Sequence, residues 1–416
     1  VTLELPVLYV VWPCDKPFPA DMDYEVLYDV FLPQAPTASQ KAQGLSAEAL
    51  HVLESMAIDT IRHTGDIGRY PSGIISCYDN YLNKYVPLVY LTVRFSLGSN
   101  IYEVKTDYNG YFSFKDPIFD NAVLSFVFDG LDGWKITSGG SSATIIESRG
   151  TYKSLRGSSI RDFDIQVNSS SVPDPRYEIY RAVGFYFYGL RTSYGSSSLL
   201  HLPEIDRFVD STTGGMRIEA HTAAIQEGEG VFKSFLGNAH YIKIGNVNRN
   251  NHPRLMGTIL HEMGHYTQFW IHRGYNHYND IPKLLKESWA SYAGWYMGEL
   301  YYSVQRLLPI PFEDDITRQA RQSWHPAMAN PYYYYSPLFV DLRDNYNQCE
   351  RLNNSRYAND AIKNVPYSLI NKLARESSWT GVKKVLREHI SSGYYTETQL
   401  NDFLVQWDKY FAANPL

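Results

Sequence analysis

The chain has 416 residues, 44% hydrophobic and 20% charged, the proportions of a folded protein long enough for two or three domains. Its formal charge of −6 comes without a basic stripe, and no run approaches the ~18–20 apolar residues of a membrane helix, so neither a nucleic-acid partner nor a transmembrane segment is expected. The three cysteines, Cys14, Cys77 and Cys349, lie far apart with no Cys-x-x-Cys pair, which fits neither a disulfide framework nor a cysteine-ligated metal. The 35 tyrosines, with Ser and Asn, suit wet surfaces that bind peptides or glycans. The chain also starts at Val1 rather than Met, and an extracellular, periplasmic or cell-surface protein is the expectation, with no signal sequence in this chain.

Residues 1–70 read as a small N-terminal region, with a strand over 5–11 and a helix over 46–62 capped by Ser46. No chemistry is visible there. From 71 to 170 the pattern changes. Short alternating runs at 73–78, 89–93, 102–106, 111–114, 123–128 and 163–167 are separated by turn residues and predict a β-sandwich. Asp107-Tyr108-Asn109-Gly110 leads directly into Tyr111, Phe112 and Phe114, which predicts a hairpin. These runs and this turn resemble the carboxypeptidase regulatory-like, transthyretin-related sandwich often attached to exported enzymes. The resemblance covers 71–170 and implies a scaffold or adhesion role rather than catalysis.

Asn168 to Pro175, rich in Ser and Pro, reads as a linker into a domain over 176–416. A helix is expected over 177–191 and strands within 217–245. Of these, 239–245 alternates and is the candidate edge strand for an added peptide, with His240 on it structural or substrate-facing. Next comes His261-Glu262-Met263-Gly264-His265. A helix turns about 100° per residue, so histidines four apart share a face and can grip one Zn²⁺, while the Glu between them reaches a water. Met256, Ile259, Leu260, Met263, Phe269 and Trp270 recur at helical spacing and predict a buried helix over 253–272, opened by Asn250, Asn251 and Pro253. Gly264 costs such a helix roughly 1 kcal/mol relative to Ala, which the close approach of another backbone would explain.

A catalytic zinc takes three protein ligands and keeps one position open. A third His six residues after His265 is excluded, because Ile271 stands there. The other common arrangement takes a Glu from the next helix, over 283–297; Glu287 is the candidate and Glu299 the alternative. Ala290, Ser291 and Gly294 give that helix a small-residue face for close packing. A carboxylate at its core-facing edge is costly unless paired or bound to metal.

With these residues the chain resembles the gluzincin class of zinc metallopeptidases. The resemblance implies a thermolysin-like catalytic domain with a mixed sheet above the active-site helix and a mainly helical C-terminal lobe. It implies one Zn²⁺ per chain on His261, His265 and Glu287, with Glu262 as general base. It also implies an oxyanion donor from the helical lobe, for which Tyr332, Tyr333, Tyr334, Tyr335 and His325 are candidates and Tyr335 is chosen. The chain departs from the pattern at Ser291, where many members carry an Asp that supports a zinc-bound His. A similar spacing occurs in peptidases that attack mucin-like glycoproteins. A helix start near Leu338 and amphipathic helices over 379–390 and 398–407 complete the lobe.

The expected fold is multidomain α+β: N-terminal region, sandwich, then catalytic domain. The expected function is zinc-dependent endopeptidase cleavage of peptide, protein or glycoprotein substrates. Two other readings remain. A non-catalytic surface binding protein with a zinc-stabilised scaffold would have no need of Glu262. An aminopeptidase would need acidic groups to grip a substrate amine, for which Glu219, Glu227 and Glu229 are the candidates. No sequence feature sets an oligomeric state.

Overall fold

The computed structural model describes residues 70–130, 133–139, 141, 143–155, 163–167, 174–189, 216–221, 223, 225, 230–233, 241–245, 252–272, 275–305, 338–344, 347, 359 and 361–413. The chain divides into two compact units, Val1–Thr64 and Gly65–Leu416. The strand expected over 5–11 and the helix expected over 46–62 lie outside the described residues, as do Cys14 and Cys349. The second unit is mixed α+β, and its described residues form several sheets and helices.

Among the described residues, nine strands precede the linker: β1 (Ser72–Asp79), β2 (Lys84–Pro87), β3 (Thr92–Leu97), β4 (Asn100–Lys105), β5 (Tyr111–Ser113), β6 (Val123–Val127), β7 (Lys135–Ser138), β8 (Ile146–Thr151) and β9 (Phe163–Val167). β1 is the centre of one sheet, with β2 and β5 antiparallel to it and β9 parallel. A second sheet is wholly antiparallel in the order β4-β3-β6-β8. Alternation decides which side chains are buried. Ile75 and Cys77 of β1, Phe112 of β5, Val93 and Phe95 of β3, and Leu124 and Phe126 of β6 all point inward and are buried. The two inner faces meet at Phe95, whose ring lies 5.2 Å from Phe114, 5.6 Å from Tyr152 and 6.0 Å from Phe163.

Two expectations change here. The turn at Asp107–Gly110 forms as its residues require: Gly110 has φ 74°, and the Asp107 carboxylate accepts the amides of Asn109 and Tyr111. It does not close a hairpin, because β4 pairs with β3 while β5 pairs with β1. The Gly110 carbonyl accepts the Ile75 amide, which draws the chain across to the other sheet. Second, β7 lies within the 71–170 stretch yet joins a third sheet with strands from beyond the linker. That sheet contains β10 (Arg217–Ala220), β11 (Gly230–Lys233) and β12 (Tyr241–Ile244), in the order β11-β12-β10-β7. β10 is parallel to both β7 and β12, and β11 is antiparallel to β12. Backbone hydrogen bonds therefore tie the first stretch of the unit to the second.

Besides a one-turn helix at Tyr152–Leu155 between β8 and β9, the helices among the described residues are α1 (Pro175–Gly184), α2 (His252–Ile271), α3 (Tyr275–Asn279), α4 (Lys283–Gln305), α5 (Leu338–Arg343), α6 (Tyr367–Leu373), α7 (Trp379–Glu388) and α8 (Glu397–Ala413). α1 starts as its sequence dictates, with Asp174 capping the Arg176 amide and Pro175 in the first turn. It runs on into a π-helical turn, Phe185–Gly189, and the rest of the expected span, 190–191, lies outside the described residues. No helix among the described residues is long and apolar enough to cross a membrane.

α2 and α4 touch almost backbone to backbone, and two glycines make this possible. A Cβ on Gly264 would stand 2.8 Å from Ala290 Cα and 2.9 Å from Ala293 Cβ. A Cβ on Gly294 would stand 2.9 Å from the Gly257 carbonyl. The pairing of 264 with 290 and of 257 with 294 runs the two helices antiparallel. The Trp289 indole N–H donates to the Gly264 carbonyl at 3.0 Å and pins the contact. The third sheet lies on α2 through β11, where a Cβ on Gly230 would meet Thr258 at 2.9 Å and Glu262 at 3.0 Å.

Candidate metal centre

His261 and His265 sit one turn apart on the face of α2 that α4 covers, and both are buried. Their rings are 4.8 Å apart, centroid to centroid, and nearly perpendicular at 85°. Each directs its Nε2 at the same oxygen: Glu287 Oε2 lies 3.3 Å from that of His261 and 3.4 Å from that of His265. A direct charge-assisted hydrogen bond closes to about 2.7–2.9 Å. Two atoms each about 2.0–2.1 Å from a tetrahedral zinc stand about 3.3–3.4 Å apart. The observed spacing is long for a direct hydrogen bond and matches that of ligands sharing one ion. Two imidazoles and one carboxylate are also a donor set that suits a catalytic zinc with an open position. These residues fit the ion.

The two carboxylates at the site are driven in opposite directions. Burial pushes the Glu262 carboxyl up to about 7, and the nearby Glu287 adds to this; His261 and the Phe232 amide pull the other way without prevailing. Burial also acts to raise Glu287, but His265 and hydrogen bonds from both imidazoles outweigh it and hold that carboxyl well below its usual range. Glu287 is thus held as an anion, whereas Glu262 exchanges its proton near neutrality.

All four residues expected at the core of the site, His261, Glu262, His265 and Glu287, come together. Glu299 is not part of the ligand cluster; it follows Glu287 by about 18 Å along the helix axis. Tyr335, with Tyr332, Tyr333, Tyr334 and His325, lies outside the described residues, as do His240, Glu227 and Glu229. Glu219 is buried and engaged by Arg217 and His221, each at 3.2 Å. The edge-strand expectation needs correction. β12 is paired on both sides, by β10 and by β11, while β11 forms the edge of the sheet among the described residues. Alternation within 239–245 shows which side chains face the core but not that β11 pairs along the strand's other side.

Ser291 does not replace an Asp behind a ligand, because its buried hydroxyl bonds to neither imidazole. Support for His265 comes from a residue absent from the sequence reading. The Tyr278 hydroxyl lies 3.1 Å from His265 Nδ1. Tyr278 sits on the short helix α3, outside any periodic pattern that would have marked it.

A second buried group has similar composition. Asp79 at the end of β1, Glu178 of α1 and His252 at the start of α2 bring candidate ligand atoms within 4.8 Å of one another. Arg181 lies among them, bonded to Asp79 at 2.7 Å and to Glu178.

The fold and the paired helices define a mixed α+β protein with a buried two-histidine, one-carboxylate cluster. No protein-family model, no curated protein and no solved structure matches the chain.

Proposed function

We propose that the chain is a zinc-dependent endopeptidase that cleaves peptide bonds of proteins or glycoproteins, with His261, His265 and Glu287 as the ligands of one Zn²⁺ and Glu262 as general base. The observation that carries this reading is the convergence of two Nε2 atoms on Glu287 Oε2 at 3.3 and 3.4 Å, beside a separate carboxyl poised at about 7. Two carboxyls whose surroundings drive them apart are the signature of divided labour in catalysis. Zinc bound there supplies Lewis-acid polarisation of a carbonyl and makes water acidic near neutral pH. Glu262 takes the proton from the attacking water and delivers it to the departing amine. The Phe232 amide and the close backbone of Gly230 hold the Glu262 carboxylate under β11.

An extended peptide added to the outer edge of β11 would run across α2 beside Glu262. Tyr335 is our candidate donor to the oxyanion. The mixed sheet lying on the metal helix supports a thermolysin-like arrangement, and the facing sheets built from 70–167 support a carboxypeptidase regulatory-like sandwich as scaffold. An exported location suits such a scaffold. Arg217 and His221 engage Glu219, which removes that carboxylate as a grip for a substrate amine.

The test is cleavage of N-terminally blocked peptides and of a mucin-type glycoprotein by wild type and Glu262→Gln, with zinc measured in both. Wild type should cleave. The variant should keep its zinc and lose activity by about 10²- to 10⁴-fold. Equal activity in the two proteins would overturn the role of Glu262, and failure on blocked peptides alone would point to an aminopeptidase.

A further inference from the structure

We infer that Tyr278 is the positioning residue for His265: its hydroxyl fixes which imidazole nitrogen faces the metal, and it can act on Nδ1 as either hydrogen-bond donor or acceptor. This inference rests on the zinc reading above.

An imidazole has two nitrogens and a broad χ2, so a histidine on a helix face does not by itself present Nε2 to a neighbour. At His265 the choice is made from both sides. Nε2 faces Glu287 Oε2 at 3.4 Å, and Nδ1 faces the Tyr278 hydroxyl at 3.1 Å. The Tyr278 ring is itself held in place. Phe269 lies 5.6 Å and Phe232 6.1 Å from it in edge and face contacts, and the Lys286 ammonium stands 5.0 Å over its centroid. A buried ring gripped in this way leaves its hydroxyl one direction to point.

A phenol differs from a carboxylate in this position. An ionised carboxylate only accepts, and so fixes the proton on Nδ1 permanently. A phenol both donates and accepts. When Nε2 shares its proton with Glu287, the hydroxyl donates to Nδ1. When Nε2 offers its lone pair to a metal, the proton sits on Nδ1 and the phenol oxygen accepts it. Tyr278 can therefore stay bonded to His265 in both conditions, and it adds no negative charge behind the ligand. Ser291, on the other helix, bonds to neither imidazole and does not share this work. Phe232 packs on Tyr278 while its amide holds Glu262, so the same residues brace the ligand and the base.

The experiment uses the full chain as wild type, Tyr278→Phe and His261→Ala. Zinc affinity is read by competition with a chelating dye. The imidazole Nδ1–H resonance of His265 is read by NMR on the zinc-loaded, ¹⁵N-histidine-labelled protein. Phe keeps the ring contacts, so Tyr278→Phe should fold and still take up zinc, about 10- to 100-fold more weakly than wild type. Its Nδ1–H resonance should move upfield because the hydrogen bond is gone. Unchanged affinity, or weaker affinity with an unmoved resonance, would overturn the positioning role and leave the zinc reading standing. No zinc uptake by wild type, or uptake by His261→Ala equal to wild type, would overturn the zinc reading and this inference with it.

Discussion

Two buried groups in this molecule are made of nearly the same parts, but their surroundings differ. His261, His265 and Glu287 form one; Asp79, Glu178 and His252 form the other. The difference is Arg181. Its guanidinium bonds to Asp79 and Glu178, so the second group already contains the cation that its carboxylates need. Backbone amides take further lone pairs on Asp79 and His252. Asp79 Oδ1 accepts the amides of Tyr81 and Leu82, each at 2.9 Å, and His252 Nδ1 accepts the Asn80 amide at 3.2 Å. That group cross-links the end of β1, helix α1 and the first residue of α2. Around Glu287 the partners are two imidazoles, neither of which carries a fixed charge. A carboxylate facing two imidazole nitrogens at ligand spacing, with no guanidinium among them, is the place we propose for a metal cation. Composition does not separate the two groups; the presence of an internal guanidinium does.

The sharpest way to break this comparison is to remove that guanidinium. Arg181→Met leaves two buried carboxylates without their cation and should destabilise the protein by about 3–5 kcal/mol, read from denaturant unfolding. The variant should still bind zinc with wild-type stoichiometry wherever it remains folded. A stability loss below about 1 kcal/mol would mean that the group is not a cross-link.

A somewhat smaller effect concerns pH. The folded, metal-free protein holds Glu262 at about 7 against an ordinary 4.5, so between those values it binds more protons than the unfolded chain. Stability should therefore fall as pH rises through that window, by about 3 kcal/mol for a group so fully buried. Glu287 has the opposite sign: its contribution is present above the ordinary carboxylate pKa and is lost in strong acid. Unfolding of metal-free wild type and Glu262→Gln at pH 5 and pH 8 separates the two. The variant should gain on wild type between those conditions, and parallel pH profiles would contradict the buried, proton-hungry Glu262.

Smaller again is the helix contact that brings Glu287 to the histidines. Gly264→Ala would put a Cβ 2.8 Å from Ala290 Cα, which neither backbone can relieve without moving α4. About 1–3 kcal/mol of stability should be lost, and zinc affinity with it, because Glu287 rides on the displaced helix. An unchanged zinc affinity would mean that the ligand geometry tolerates the shift.

The clustering of the proposed metal ligands was legible because helical periodicity is local: four residues return His265 to the face of His261, and the small residues Ala290 and Gly294 announce the closeness of the next helix. Gly264 was legible for the same reason, as a cost needing a neighbour. Strand β9 matched its expected span of 163–167, because five alternating residues suffice when both ends are buried. What depended on distant pairing was hidden. Arg181 and Asp79 are 102 positions apart, and nothing in the helix around Arg181 names its partner. Tyr278 acts through a single hydroxyl from a five-residue helix that has no period to read. The turn at Asp107–Gly110 was right in chemistry and wrong in consequence, since turn residues fix a local bend but not the sheet that receives the next strand. β7 shows the same limit on a larger scale: its residues predict neither their parallel partner β10 nor the sheet they join.

The central claim is tested most directly by counting zinc in the purified, zinc-equilibrated chain and in His261→Ala and His252→Ala. The account predicts about one zinc per chain in wild type and in His252→Ala, and none in His261→Ala. A wild type without zinc, or zinc that follows His252 instead of His261, would contradict it.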